Sequence, residues 1–208
     1  VLNMQYINEI GTKLGKDSKN VHPLYDLIGN NQVMRDFKSM GYEIIVLGSS
    51  HNFSTDITVA DEILCLSNDS INSEFNINLI KTSILKPIYA LIFETHRDKI
   101  LCSLSELPTV HNQFEKPIFV FSHLLIPHSP FIFGPNGEEK SSKTIEVTDE
   151  WDDNGYVDQV KFINKKMLEF LETILVDEQD SIIIIMGDHG TGATDNINSD
   201  SKLIERMK

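Results

Sequence analysis

At 208 residues the chain is long enough to bury one substantial hydrophobic core, and a single α/β domain over 1–208 is the expectation. Its 31 acidic residues stand against 18 Lys plus Arg, a formal charge of -13, which argues against nucleic acid or an anionic membrane surface as the main partner. No apolar run approaches the roughly 18 residues that cross a bilayer, so no membrane span is expected in this segment, and the first residues lack a signal peptide's basic and then apolar order.

The first periodic stretch begins at Asn30-Asn31, which can cap a helix carrying Val33, Met34, Phe37 and Met40 on its apolar side. Gly41 ends that helix, and YEIIVLG (42–48) follows directly as a strand. Residues 49–70 are polar and irregular apart from a short strand EILCL (62–66). From Asn72 to Glu106 the spacing predicts two helices separated at Pro87. Pro117 introduces a second apolar strand, PIFVFS (117–122), with Ser122-His123 at its carboxyl end.

A long connection from Leu124 to about Asn154 follows, rich in Pro, Gly, Ser and acids, and a loop of that length inside a domain is usually functional or mobile. Within it Pro135-Asn136-Gly137 reads as a turn, and Trp151 as a surface anchor for the loop. Asp152 or Asp153 can cap a helix over about 156–176, whose apolar residues Val160, Ile163, Met167, Phe170, Leu171 and Ile174 step by three and four. Ile182 to Met186 is apolar on both alternating faces, as in a strand covered on two sides, and ends in GDHG.

Helices alternating with strands predict a mostly parallel sheet with helices on its faces. The loops GSSHNFSTD, SHLLIPHSPF and GDHGTG would then share the carboxyl edge of the sheet, where open α/β folds bind ligands, bringing His51, His123, His128, Asp188 and His189 together.

Asp188 and His189 offer a carboxylate oxygen and an imidazole nitrogen, donors suited to Zn, Mn or Fe. An Asp capping the next turn beside a His satisfied by backbone is the plainer alternative. His128 lies between Pro127 and Pro130, which restrict where its ring can point, and such a His serves to bind an anion or to protonate a leaving oxygen; packing on Phe131 is the alternative. His123 reads equally as a substrate or metal contact and as a satisfied strand-end residue. His51 is a weaker candidate, and His22, His96 and His111 have no supporting context. Cys65 and Cys102 are read as buried thiols rather than a disulfide framework.

Other chemistries fit poorly. Asn52 stands where a G-x-S-x-G elbow needs its second glycine, and neighbouring Asp188 and His189 cannot approach a serine from separate elements. No G-x-G-x-x-G or Walker A motif follows a strand.

The ordered set PIFVFSHLLIPHSPFIFGPNGE, YVDQVKFINKKMLEFLETIL and IIIIMGDHG resembles the sulfatase-like branch of the alkaline phosphatase superfamily, which includes sulfatases, lipoteichoic acid synthases and phosphoethanolamine transferases. The resemblance implies a three-layer α/β/α sandwich that hydrolyses or transfers phosphate or sulfate esters at a divalent metal, Zn, Mn, Mg or Ca. It assigns the metal to Asp188 and His189, and contact with the substrate or leaving group to His128; His123 is a second candidate by its strand-end position alone. It also implies an extracytoplasmic domain of a membrane-anchored full-length protein. The family's nucleophile, a Ser, Thr or modified Cys after an acidic strand end, has no counterpart before Tyr42, so the chain is expected to be a middle-to-late segment that is inactive alone. The alternative is a degenerate relative that keeps the fold as a binding or interaction domain.

Overall fold

Asn31 begins the helix that organises the sheet. Its backbone is extended and its side-chain oxygen accepts the Met34 N–H at 3.0 Å, an N-cap that starts a helix at Gln32–Ser39. Gly41, at φ +92, turns the chain out of that helix, and Tyr42 leads into the strand Glu43–Leu47. The computed structural model describes residues 2–4, 7–15, 18–48, 57–65, 96–140, 153–177 and 180–187. The chain divides into two units, 1–124 and 125–208.

The first unit contains α1 (Ile7–Leu14), α2 (His22–Gly29), α3 (Gln32–Ser39), β1 (Glu43–Leu47), β2 (Glu62–Leu64), α4 (His96–Glu106) and β3 (Ile118–Ser122). The first two helices have no counterpart in the sequence reading; Pro23 in the first turn of α2 fits the position where a missing N–H costs nothing. An apolar cavity of about 310 Å³ lies against Ile10, Leu14, Val21 and Leu24, and none of its lining residues is ionisable. The first of the two helices expected between 72 and 106 lies outside the described residues, and the second is α4.

The sheet has the order β2-β1-β3 and both pairings are parallel, the mixed α/β arrangement that the alternation of elements predicts. Register places Ile44 beside Phe119, Val46 beside Phe121 and Ile63, and Leu47 beside Leu64 and Ser122. Ile44 and Val46 pack with Met34 and Ile57 in a core that Phe37, Phe119 and Phe121 extend, and the Phe37 and Phe119 rings lie 4.6 Å apart. Ile45 and Leu47, on the opposite face, are fully buried as well. Central β1 is therefore covered on both sides, as its unbroken apolar run requires.

The second unit contains α5 (Asp153–Asp177), which begins three residues before the expected 156. It buries Val157, Val160, Phe162, Phe170 and Ile174, while Leu168, Leu175 and Val176 stay exposed. Residues 132–140 fold back as a narrow hairpin, with Phe133 and Glu139 forming an antiparallel bridge and Lys140 N–H donating to the Ile132 carbonyl at 3.0 Å. Gly134 and Gly137 close its turn, where Pro135-Asn136-Gly137 was expected to form one.

The apolar run near the carboxyl end departs from expectation. Residues 181–187 form no strand and join no ladder, and Ile182 and Ile184 are 91% and 80% exposed. β-branched side chains favour an extended chain, yet a strand exists only where a neighbouring backbone accepts from its N–H groups and donates to its C=O groups.

Candidate functional site

Parallel pairing puts the carboxyl ends of β1, β2 and β3 on one edge of the sheet. Leu47, Leu64 and Ser122 are in register there, so the residues that leave the sheet together are Gly48, Cys65 and His123. Gly48 N–H donates to the Leu64 carbonyl at 2.8 Å, continuing the ladder one step. A methyl group on Gly48 would stand 3.1 Å from that carbonyl oxygen and 3.2 Å from the Cys65 carbonyl oxygen, so a small residue fits this approach of the two chains.

α4 is fastened to the same edge by adjacent residues. Cys102 forms a disulfide with Cys65, the Cα atoms 5.7 Å apart, and buried Ser103 donates its hydroxyl to the Gly48 carbonyl at 3.0 Å. The pairing corrects the expectation of two free thiols. Their separation of 37 residues carries no signal in sequence, and only the meeting of the β2 end with α4 brings them within bonding reach.

His123, the first residue after β3, is half-buried at this edge, where the sequence places it. Beside it the Ser122 hydroxyl oxygen is buried and makes no hydrogen bond among the described residues. His51, Asp188 and His189 lie outside the described residues, so the expected metal pair and the loop after β1 are placed by sequence alone. Among the described residues no three His, Cys, Asp or Glu side chains group as a metal site.

His128 belongs to the second unit. Its ring is exposed and its Nδ1 lies 2.6 Å from the Ser129 carbonyl oxygen. A carbonyl oxygen only accepts, so Nδ1 carries the proton in this contact, and in the neutral ring Nε2 is left with its lone pair. The loop is held from behind by Gln159, which is 1% exposed on α5. Gln159 Nε2 donates to the His128 carbonyl at 3.0 Å, and its Oε1 accepts the N–H groups of Ile132 at 3.0 Å and Phe133 at 3.4 Å. These partners fix the orientation of the amide, since two donors must meet its oxygen and one acceptor its nitrogen.

Around that contact the hairpin is packed tightly. Phe133 is fully buried and stacks on Phe162 with ring centroids 4.7 Å apart, and Lys140 pairs with Asp158 at 2.8 Å. Gly137 sits at φ +88, where a Cβ would come 2.6 Å from the Phe162 ring. Gln159 is the residue that sequence reasoning passed over. Its signal was a polar side chain between Val157, Val160 and Phe162, on a helix face that is otherwise apolar.

Compared with protein-family models, with curated proteins and with solved structures, the chain matches none.

Proposed function

We propose that this chain is part of a metal-dependent hydrolase or transferase of phosphate or sulfate esters, of the sulfatase-like branch of the alkaline phosphatase superfamily. The observation that carries this is the position of Ser122-His123 at the carboxyl edge of a parallel sheet, with PHSPF, α5 and GDHG following in the order the resemblance requires. The sheet would be the middle of a three-layer α/β/α sandwich, which the burial of Ile44 to Leu47 on both faces of β1 supports.

Asp188 and His189 would hold the divalent ion, an oxygen and nitrogen donor set that suits Zn or Mn. A bound ion would polarise the ester oxygen and offset its charge. His128, presented with Nε2 outward, would act as the imidazolium, protonated on both nitrogens, to contact the anionic group or give its Nε2 proton to the leaving oxygen, and His123 would line the sheet edge. The Cys65–Cys102 disulfide supports an oxidising, extracytoplasmic compartment, and membrane anchorage of the full-length protein belongs to the same proposal.

The test is calorimetric titration of this chain with Mn and Zn beside Asp188→Ala and His189→Ala. Binding by the unaltered chain that disappears in both variants is expected. Equal binding in all three would remove the metal assignment, and with it the proposed chemistry.

A further inference from the structure

The geometry points to Gln159 as the positioning residue for His128: from inside α5 it fixes the PHSPF loop so that the imidazole is held as the Nδ1–H tautomer and offers Nε2 to a ligand. The use of Nε2 toward an anionic ester, once that nitrogen takes up a proton, rests on the function proposed above, whereas the positioning rests on hydrogen bonds alone.

Three contacts converge on one buried amide. The Gln159 nitrogen holds the His128 carbonyl, and its oxygen holds the N–H groups of Ile132 and Phe133. Both ends of the segment 128–133 are therefore tied to a single side chain on a rigid helix. Between those ties stands Ser129, whose carbonyl receives the His128 Nδ1 proton at 2.6 Å. Where the Ser129 carbonyl points is decided by the backbone that Gln159 fastens. A histidine whose first nitrogen is engaged by a backbone carbonyl works through its second, and that engagement selects the tautomer.

An amide is required for this arrangement. A hydrophobic side chain at 159 would leave two buried backbone donors and one part-buried acceptor without this partner, and a hydroxyl would not span the distance to both sides of the loop. Gln159 is almost wholly buried, so it serves the site through His128 and not as a contact of its own.

The experiment is long-range 1H–15N correlation spectroscopy of the imidazoles in the full chain, at about pH 8.5 so that ordinary histidines are neutral. His128→Gln assigns the signal. The unaltered chain is expected to show His128 as the Nδ1–H tautomer, and Gln159→Met, which keeps length without hydrogen bonds, is expected to lose that preference and give the averaged signal of an unrestrained ring. Gln159→Glu keeps the acceptor for Ile132 and Phe133 and serves if the Met variant does not fold; its ionised carboxylate cannot donate to the His128 carbonyl, so the preference should be lost there too. An Nε2–H tautomer in the unaltered chain would overturn the proposal, as would an Nδ1–H signal that survives in a folded Gln159 variant. Titrating the unaltered chain with inorganic phosphate and sulfate at about pH 5.5, where an ordinary imidazole carries a proton on both nitrogens, keeps the two ideas apart. A His128 Nε2 signal that ignores both anions counts against the ester chemistry while the tautomer result still stands.

Discussion

Replacing both Cys65 and Cys102 with Ser should remove about 4 kcal/mol of stability at 25 °C, the loop-closure entropy of a crosslink spanning 37 residues. For a chain of 208 residues that corresponds to a fall in Tm of roughly 8–16 °C. The loss should be felt first at the carboxyl edge, because the disulfide and the Ser103 hydroxyl fasten α4 to the ends of β2 and β1. Urea denaturation followed by far-ultraviolet circular dichroism gives the free energy, and hydrogen exchange at the Gly48 N–H, which donates to the Leu64 carbonyl, gives the local effect. Alkylation of the unreduced protein provides the control. Two reactive thiols in the folded chain, or equal denaturation free energies for the oxidised and double-Ser proteins, would refute the reasoning.

Three further outcomes follow from the packing. Gly137→Ala combines a left-handed backbone angle with a Cβ 2.6 Å from the Phe162 ring, so it should cost about 2–4 kcal/mol by urea denaturation; a loss below about 1 kcal/mol would mean that the ring yields freely. Asn31→Ala removes the buried cap on Met34 N–H and the donor to the part-buried Ile28 carbonyl, and should cost about 2 kcal/mol in the same assay. The third concerns Asp61, whose carboxyl is held below its ordinary value of 3.8 chiefly by the hydrogen bond from Lys38 and then by the Ile44 N–H. The unfolded chain then takes up the proton at higher pH than the folded one, so this contribution is complete above about pH 4 and drains away as pH falls through the lowered folded value. The pair is 43% and 38% exposed, so its size is cut by solvent screening and the slope is the better readout. Asp61→Asn should flatten the fall of stability below about pH 4; parallel curves for the two proteins would exclude the linkage.

Local patterns proved informative where a single residue decides the outcome. Asn31, Gly41 and the run after Tyr42 specify a cap, a helix end and a strand without help from distant residues, and α3 and β1 were legible from them. PIFVFS likewise became β3, with His123 directly after its end. What depends on partners was not legible. Ile182 to Met186 has the composition of a buried strand, yet burial belongs to the neighbours and not to the run. Cys65 and Cys102 look like ordinary thiols until two elements meet. Gln159 carries no local signal of its role on an amphipathic helix, because its three partners lie 26 to 31 positions away. Periodicity reports which face of a helix is apolar, and it is silent on which backbone groups that face must satisfy.

The open run Ile182 to Met186 also ties the colloidal behaviour of the protein to its surroundings. It is uncharged, rich in β-branched residues and free of proline, the composition of a segment that stacks against copies of itself. A net charge of -13 keeps molecules apart at neutral pH. That repulsion reaches about 10 Å in 0.1 M salt and about 3 Å in 1 M, and it vanishes near the isoelectric point of about 4.9. Divalent ions neutralise an acidic surface as acid does, so clustering of chains would release heat during a metal titration with no specific site involved. Light scattering recorded alongside the calorimetry separates the two, since binding at Asp188 and His189 leaves particle size unchanged and charge neutralisation makes it grow.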